Sequence, residues 1–287
     1  MPIVHLNGQN LPAGDACVPV LDRGFIFGDG VYEVIPVFGG HPFRLTEHLR
    51  RLENSLDEVR IPNPHTPAKW TALIQGLVDK NGGGDQSLYL QVTRGPAARD
   101  HALPENPAPT VFAMSNPLHP AAAETLAQGI KAITLDDIRW TRCHIKAISL
   151  LPNILLRQTA LDAGAAEAIL IRDGYATEGA ASNLFAVFDE KPGGVLVTPP
   201  KGPRLLPGIT RDVILELAGA HGIAHRESDI RREDLARTRE IWVTSSTKEI
   251  LPVTMLDDEP VGEGRPGPVF KKMYALYQTN KAHLQDG

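Results

Sequence analysis

Lys146 is the residue of this chain best placed for covalent chemistry. It sits in Cys143-His-Ile-Lys-Ala-Ile-Ser-Leu-Leu151, with Arg142 and His144 close upstream. A lysine among apolar residues loses hydration, and a nearby cation disfavours its charged form further, so both effects leave a nucleophilic amine. The same pattern also suits a lysine whose stem crosses apolar surface while its head reaches water. A second kind of chemistry is anion binding. Leu206-Pro-Gly-Ile-Thr-Arg-Asp212 runs into a helix pattern with Val213, Ile214, Leu217 and Ala218 on one face. The first turn of such a helix presents free N–H groups and the positive end of its dipole. The Ile209 N–H, with the Thr210 N–H and hydroxyl, is the candidate phosphate cradle, and Thr210 also suits an N-cap. Ser245-Ser246-Thr247 follows a strand pattern over 240–244, where Ser246 could complete an anion shell.

The elements that must hold these groups alternate along the chain. Residues 3–6 and 31–38 read as strands, and Gly39-Gly40 turns the second back towards 42–45. Thr46 reads as the cap of a helix with Leu49, Leu52, Leu56 and Val59 at helical spacing, flanked by Arg50 and Arg51. Thr66-Pro67 opens a second helix with Trp70, Leu73, Ile74, Leu77 and Val78 inward, ended by Asn81-Gly-Gly-Gly84. Strands follow at 87–93 and 110–115, around the loop Arg94-Gly-Pro-Ala-Ala-Arg-Asp-His101. Asn116-Pro-Leu-His-Pro-Ala-Ala-Ala123 separates the halves, giving domains at 1–117 and 132–287 with a linker at 118–131. Regular structure restarts at 131–134. After Lys146, Leu151, Ile154, Leu155 and Leu161 fall on one helical face until Gly164. A strand at 168–172, the Asp173-Gly174 hairpin turn and a second strand lead to Glu178. A loop over 262–267 precedes a closing helix through 271–281.

Composition narrows the function classes. At 287 residues the chain is long enough for two domains, and 42% hydrophobic with 22% charged residues is ordinary globular composition. A net charge of -5 argues against a nucleic-acid surface. Two cysteines, Cys17 and Cys143, imply neither a disulfide framework nor a cysteine zinc site, and no metal ligand set is marked. The N-terminus lacks a basic region before an apolar run, and no stretch approaches the roughly 20 apolar residues of a membrane span. A cytoplasmic soluble protein is expected. Glycines 24, 28 and 30 do not make a dinucleotide fingerprint, because Glu33 stands where a third glycine belongs and no helix pattern follows.

Taken in order, Phe27-Gly-Asp-Gly-Val-Tyr-Glu-Val34, the Lys146 segment, Thr177-Glu-Gly-Ala-Ala-Ser-Asn183, Leu206–Asp212 and Val243-Thr-Ser-Ser-Thr-Lys-Glu249 resemble the fold type IV pyridoxal-phosphate enzymes over nearly the whole chain. The resemblance implies an α+β, two-domain fold: a smaller N-terminal α/β domain and a larger C-terminal mixed, β-barrel-like domain with helices. It implies pyridoxal 5′-phosphate carried on Lys146 as a Schiff base. Arg51 matches the family's phosphate-binding arginine, and Ser246, Ile209, Thr210 and the Leu206 segment match its cofactor contacts. A carboxylate at Glu178 would keep the ring nitrogen protonated, so that the ring accepts electrons from the substrate α-carbon. Unaided, Glu178 also reads as a surface residue after a hairpin. Ala180-Ala181 replace serines of several relatives, so hydroxyl contacts from those two positions are not carried over.

Arg99 and His101 match an Arg-x-His pair with which D-amino acid aminotransferases of this group take the substrate carboxylate, helped by a tyrosine at Tyr32. There the loop belongs to the other subunit of a homodimer. The expected reaction is transamination between a D-amino acid such as D-alanine and a 2-oxo acid such as 2-oxoglutarate. The alternatives are a branched-chain L-amino acid aminotransferase, an aminodeoxychorismate lyase, an (R)-amine transaminase, or a degenerate binding protein without catalysis.

Overall fold

Alternation along residues 30–38 buries Val31, Ile35 and Val37 on one face, and the strand finds its partners in the first half of the chain. The computed structural model describes residues 2–282. Two units divide it: residues 2–119 with Ile145–Leu150, and Pro120–His144 with Leu151–Ala282. The six residues around Lys146 thus group with the first unit, although both flanks group with the second.

In the first unit the strands are β1 (Ile3–Leu6), β2 (Gln9–Pro12), β3 (Gly30–Phe38), β4 (His41–Pro42), β5 (Gln86–Thr93) and β6 (Thr110–Pro117). They form one antiparallel sheet in the order β2-β1-β6-β5-β3-β4. The helices are α1 (Arg23–Phe27), α2 (Leu45–Glu58) and α3 (Pro67–Lys80). Leu52, Leu56, Trp70, Ile74 and Leu77 from α2 and α3 pack on Val31, Ile35, Leu88, Leu90 and Val92 from the sheet. Thr66 caps α3 by accepting from the Lys69 N–H at 3.3 Å, as its Thr-Pro pair leads one to expect. Thr46 does not cap α2. The cap position is Arg44, in the left-handed region at φ 52, and its side chain makes no capping bond, so Thr46 is already inside the helix. The segment after Gly40 gives only the two residues of β4 before α2 begins at Leu45.

The second unit carries α4 (Ala123–Gln128), β7 (Ile130–Asp136), α5 (Leu151–Asp162), β8 (Glu167–Arg172), β9 (Tyr175–Gly179), β10 (Asn183–Phe188) and β11 (Val195–Thr198). Beyond these come α6 (Ile209–Ala220), β12 (His225–Glu227), β13 (Ile230–Arg231), β14 (Glu240–Ser245), β15 (Glu249–Leu256), β16 (Glu259–Pro260) and α7 (Pro268–Ala282). Its strands form a mixed sheet in the order β12-β11-β10-β14-β15-β7-β8-β9-β13, with β16 paired to β15. Parallel pairs β7–β8 and β7–β15 sit among antiparallel neighbours. Asp173 and Gly174 close the β8–β9 hairpin with φ of 54° and 81°, the positive pair that a tight two-residue hairpin turn needs. The expected helix after Lys146 forms, but the apolar face marked by its spacing is not a core face. Leu151 is 66% and Ile154 61% exposed, with Leu155 and Leu161 also exposed, and the buried contacts come from Leu156 and Ala160, four residues apart. Among the described residues no helix is long and apolar enough to cross a membrane.

Candidate active site

In the first unit, α2 turns two rows inward. Leu49, Leu52 and Leu56 form the apolar row, and His48, Arg51 and Ser55 form a polar row one position behind it. Residues at i, i+3 and i+7 share a face, and a buried polar face must find partners. Its partners are Glu33, wholly buried on β3, and the backbone of the Lys146 segment. Arg51 grips the Glu33 carboxylate side-on, Nε to Oε1 at 2.7 Å and Nη2 to Oε2 at 2.8 Å. His48 Nδ1 lies 2.7 Å from Oε2. Burial alone would raise the Glu33 carboxyl, but Arg51 and His48 outweigh it and bring it down to about 2. Burial pushes the His48 imidazole down, and the charges of Arg51 and Lys146 add to that against the pull of Glu33.

Ser55 Oγ accepts the Lys146 N–H at 3.2 Å. Lys146 O accepts the Tyr32 N–H at 2.9 Å, and the Ile148 N–H reaches Gly30 O at 3.1 Å, so the segment lies along β3 with Val31 opposite Ala147. Lys146 Nζ lies 4.3 Å from the centre of the Tyr32 ring, which stacks on Tyr89 at 5.5 Å. The backbone bonds fix the stem and the aromatic face fixes the amine. Arg99 and His101 meet at another ring: Arg99 Cζ lies 5.5 Å from the centre of Phe27, and the His101 and Phe27 rings are 5.5 Å apart. Neither makes a hydrogen bond, ion pair or ring contact with Tyr32 or Lys146 among the described residues.

The second unit holds the other group of site residues. Glu178 is buried, and three donors converge on its carboxylate: Arg139 Nη1 on Oε1, Asn183 Nδ2 on Oε2 at 3.1 Å, and the Leu206 N–H between both oxygens at 3.2 and 3.1 Å. A carboxylate offers about four acceptor positions, so the set leaves room for one more donor. Burial pushes the Glu178 carboxyl up, and Arg139 with the Leu206 N–H pulls against it. Arg139 is in turn held by Asp137, Nε to Oδ1 at 2.9 Å, and the two carboxylates keep its guanidinium firmly charged despite burial.

Asn183 ties the carboxylate to the start of α6, because its Nδ2 also donates to Leu206 O at 2.9 Å. The cap residue of α6 is Gly208, not Thr210, and no side chain caps the helix, which leaves the N–H groups of its first turn without a capping acceptor. A Cβ at Gly208 would lie 1.9 Å from Asn183 Oδ1, so only glycine lets the turn come this close. Ile209 and Thr210 are buried in that first turn. Ser246 follows β14 in the turn to β15, and the hydroxyl of Thr244 just before it is buried without a partner.

By chemistry alone, the lysine amine of the first unit suits an aldehyde, and in the second unit the buried carboxylate with an open acceptor position and the uncapped helix start suit a ring nitrogen and a phosphate, the three groups of pyridoxal phosphate. This donor set fits the group. No motif assigns a role to Glu33, His48 or Arg139. Glu33 carried a usable signal, a charge inside the apolar run Val31-Tyr-Glu-Val-Ile35 that has to be paired once buried. Nothing in the spacing separates Arg139 from Arg142.

Comparison with known proteins shows the family. The class IV amino-transferase family matches residues 30–256. A D-alanine aminotransferase of Bacillus licheniformis is 39% identical over 277 residues, covering 96% of each chain. Among solved structures, the branched-chain amino acid aminotransferase of Escherichia coli superposes with a TM-score of 0.91 at 31% identity, covering 97% of this chain and 94% of that one. A hypothetical aminotransferase from Mycobacterium tuberculosis, in its PLP-bound form, gives 0.82 at 26% identity, with 96% and 97% covered. The chain belongs to the class IV aminotransferases. It is an aminotransferase of fold type IV, and the cofactor of that class is pyridoxal 5′-phosphate.

Proposed function

We propose that this chain transfers the amino group between a D-amino acid such as D-alanine and a 2-oxo acid such as 2-oxoglutarate. The sequence likeness to a D-alanine aminotransferase over nearly the full length supports the D-amino acid side, and the Arg99–His101 loop beside Phe27 is the observation that carries it. A branched-chain L-amino acid is the second reading, supported by the structural likeness to the branched-chain enzyme.

Lys146 would hold the cofactor, with Glu178 at its ring nitrogen and Ile209, Thr210, Ser246, Arg51 and the Leu206 segment around its phosphate end. When bound, that group supplies an electron sink for the substrate α-carbon. Lys146 Nζ is the base that takes the α-proton and the acid that returns one when the 2-oxo acid is the substrate. The Tyr32 ring and the backbone bonds to Ser55 and Tyr32 keep that amine on one path. Glu178, aimed by Arg139, Asn183 and the Leu206 N–H, holds a proton at the ring nitrogen. Arg51, locked to Glu33, keeps a cation fixed near the phosphate. Arg99 and His101, with Tyr32, bind the substrate carboxylate.

The working form is a homodimer in which the Arg99 loop serves the other subunit's site. Large apolar residues left open on a single chain, Phe25 at 77% and Leu151 at 66% exposed, support an association that covers them. Adding D-alanine, then separately L-leucine, to the purified holoenzyme while following the cofactor's visible absorption tests the assignment. A change with D-alanine alone supports it, and a change with L-leucine alone replaces it with the second reading.

A further inference from the structure

The loop that carries Arg99 and His101 is exposed at every residue from 99 to 103, yet it is fastened from below. Arg23, 4% exposed at the start of α1, donates from Nη1 to the carbonyl of Asp100 at 2.6 Å and to that of Ala102 at 3.4 Å. The other arm of the same guanidinium is fixed, with Nε donating to Asp29 Oδ2 at 2.7 Å. Asp29 is itself clamped by Arg94, Nε to Oδ2 at 2.8 Å and Nη2 to Oδ1 at 2.9 Å. Arg94 is anchored to the end of α2 through the carbonyls of Val59 and Arg60, each at 2.7 Å. A line of charge-assisted hydrogen bonds therefore runs from the helix, through two arginines and one carboxylate, to the backbone on either side of His101. Burial would raise the Asp29 carboxyl, but the two guanidiniums hold it below its ordinary value, so it stays an anion and an acceptor for both.

The side chains of the loop are placed by the same group. Arg23 Cζ lies 4.9 Å from the centre of the Phe27 ring, and this is the ring that Arg99 and His101 approach. Three cationic or ionisable groups approach one aromatic ring, and Arg23 alone of them is buried.

We propose that Arg23 is a positioning residue for substrate binding: its guanidinium and the Phe27 ring set the 99–102 loop so that Arg99 and His101 present their N–H donors to the carboxylate of the amino acid or 2-oxo acid. This rests on the reading that Arg99 and His101 take that carboxylate. The test uses the holoenzyme and its half-reaction, wild type beside Arg23→Gln, Phe27→Leu and Arg99→Ala. D-alanine and ethylamine, the same skeleton without the carboxylate, are the two donors. Arg23→Gln is expected to weaken apparent D-alanine binding about tenfold with the limiting rate within about twofold, and to leave the ethylamine reaction unchanged. Unchanged D-alanine binding in Arg23→Gln, or equal loss with both donors, overturns the positioning role. If Arg99→Ala leaves D-alanine binding unchanged, the carboxylate reading itself is lost. If Arg99→Ala weakens it while Arg23→Gln does not, only the positioning role is lost. Should Arg23→Gln fail to fold, Phe27→Leu carries the same comparison, because it removes the ring that Arg99 and His101 approach.

Discussion

Replacing Glu33 by Gln should leave a buried cation without its counter-ion, and the cost can be worked from the structure. Glu33 is wholly buried and its carboxyl is held at about 2 instead of 4.5 by Arg51 and His48. A carboxyl held that far down corresponds to about 3 kcal/mol of preference for the ionised folded state, to order of magnitude. Breaking one side of a buried ion pair costs about 3–5 kcal/mol by the general experience of such pairs, and the two figures agree. The folded pKa is depressed, so this stability is present in full above pH 4.5 and is lost as pH falls towards 2, where the folded state also takes the proton. Hydrogen exchange of the α2 amides in urea, followed by mass spectrometry from pH 7 to pH 3, reads the first unit locally. Wild type should lose α2 protection on acidification, and Glu33→Gln should begin about 3 kcal/mol lower and lose far less over the same range. His48 also titrates, so repeating the pair in a His48→Gln background isolates the carboxyl. Parallel pH curves for the two proteins in that background would refute the assignment of this ion pair as the fastening of α2 to β3.

Other outcomes follow from the same geometry. Lys146→Ala should abolish the visible band of the bound cofactor and lower the rate by at least about a hundredfold, and an unchanged band would remove Lys146 from its role. Arg99→Ala should raise KM for D-alanine and 2-oxoglutarate about tenfold with a smaller change in kcat, as steady-state kinetics will tell. In Arg139→Gln, burial acts on Glu178 with less opposition, so its carboxyl rises further and activity on the alkaline side should become the better preserved part of the pH–rate profile. A profile identical to wild type would show that Arg139 does not tune Glu178. Gly208→Ala sets a methyl group against Asn183 Oδ1, so cofactor affinity by equilibrium dialysis should fall about tenfold or more, with Asn183 displaced from Glu178.

The elements were legible where a local rule sufficed. Thr66-Pro67 marks a helix start by its own chemistry, and Asp173-Gly174 marks a hairpin by the φ values it tolerates. Thr46 fails as a cap because the chain enters α2 through a left-handed Arg44, which a propensity for Ser or Thr cannot foresee. Leu151, Ile154 and Leu155 show the limit of periodicity: spacing tells that residues share a face, but not what covers it. Lys146 stands out by its apolar and cationic neighbours, and the family motifs assign roles to Tyr32 and Glu178. Glu33, His48 and Arg139 act through pairings between distant segments, 15 to 39 residues apart for the bonds named, and no window along the chain contains both partners as a pattern.

The six residues Ile145–Leu150 also bear on how this protein can be cut. They supply the hydrogen bonds along the edge of β3 that the two-residue β4 leaves open, with Lys146 and Ile148 pairing around Val31. A fragment ending at His119 would keep Tyr32, Arg51, Arg99 and His101 and still lack both the lysine and its own edge strand. It would expose unpaired backbone beside a buried ion pair, an invitation to self-association. The two units are compact in space but not separable as genes. Shuffling the first half among relatives requires carrying the Lys146 hexapeptide with it, a graft from the middle of the other half.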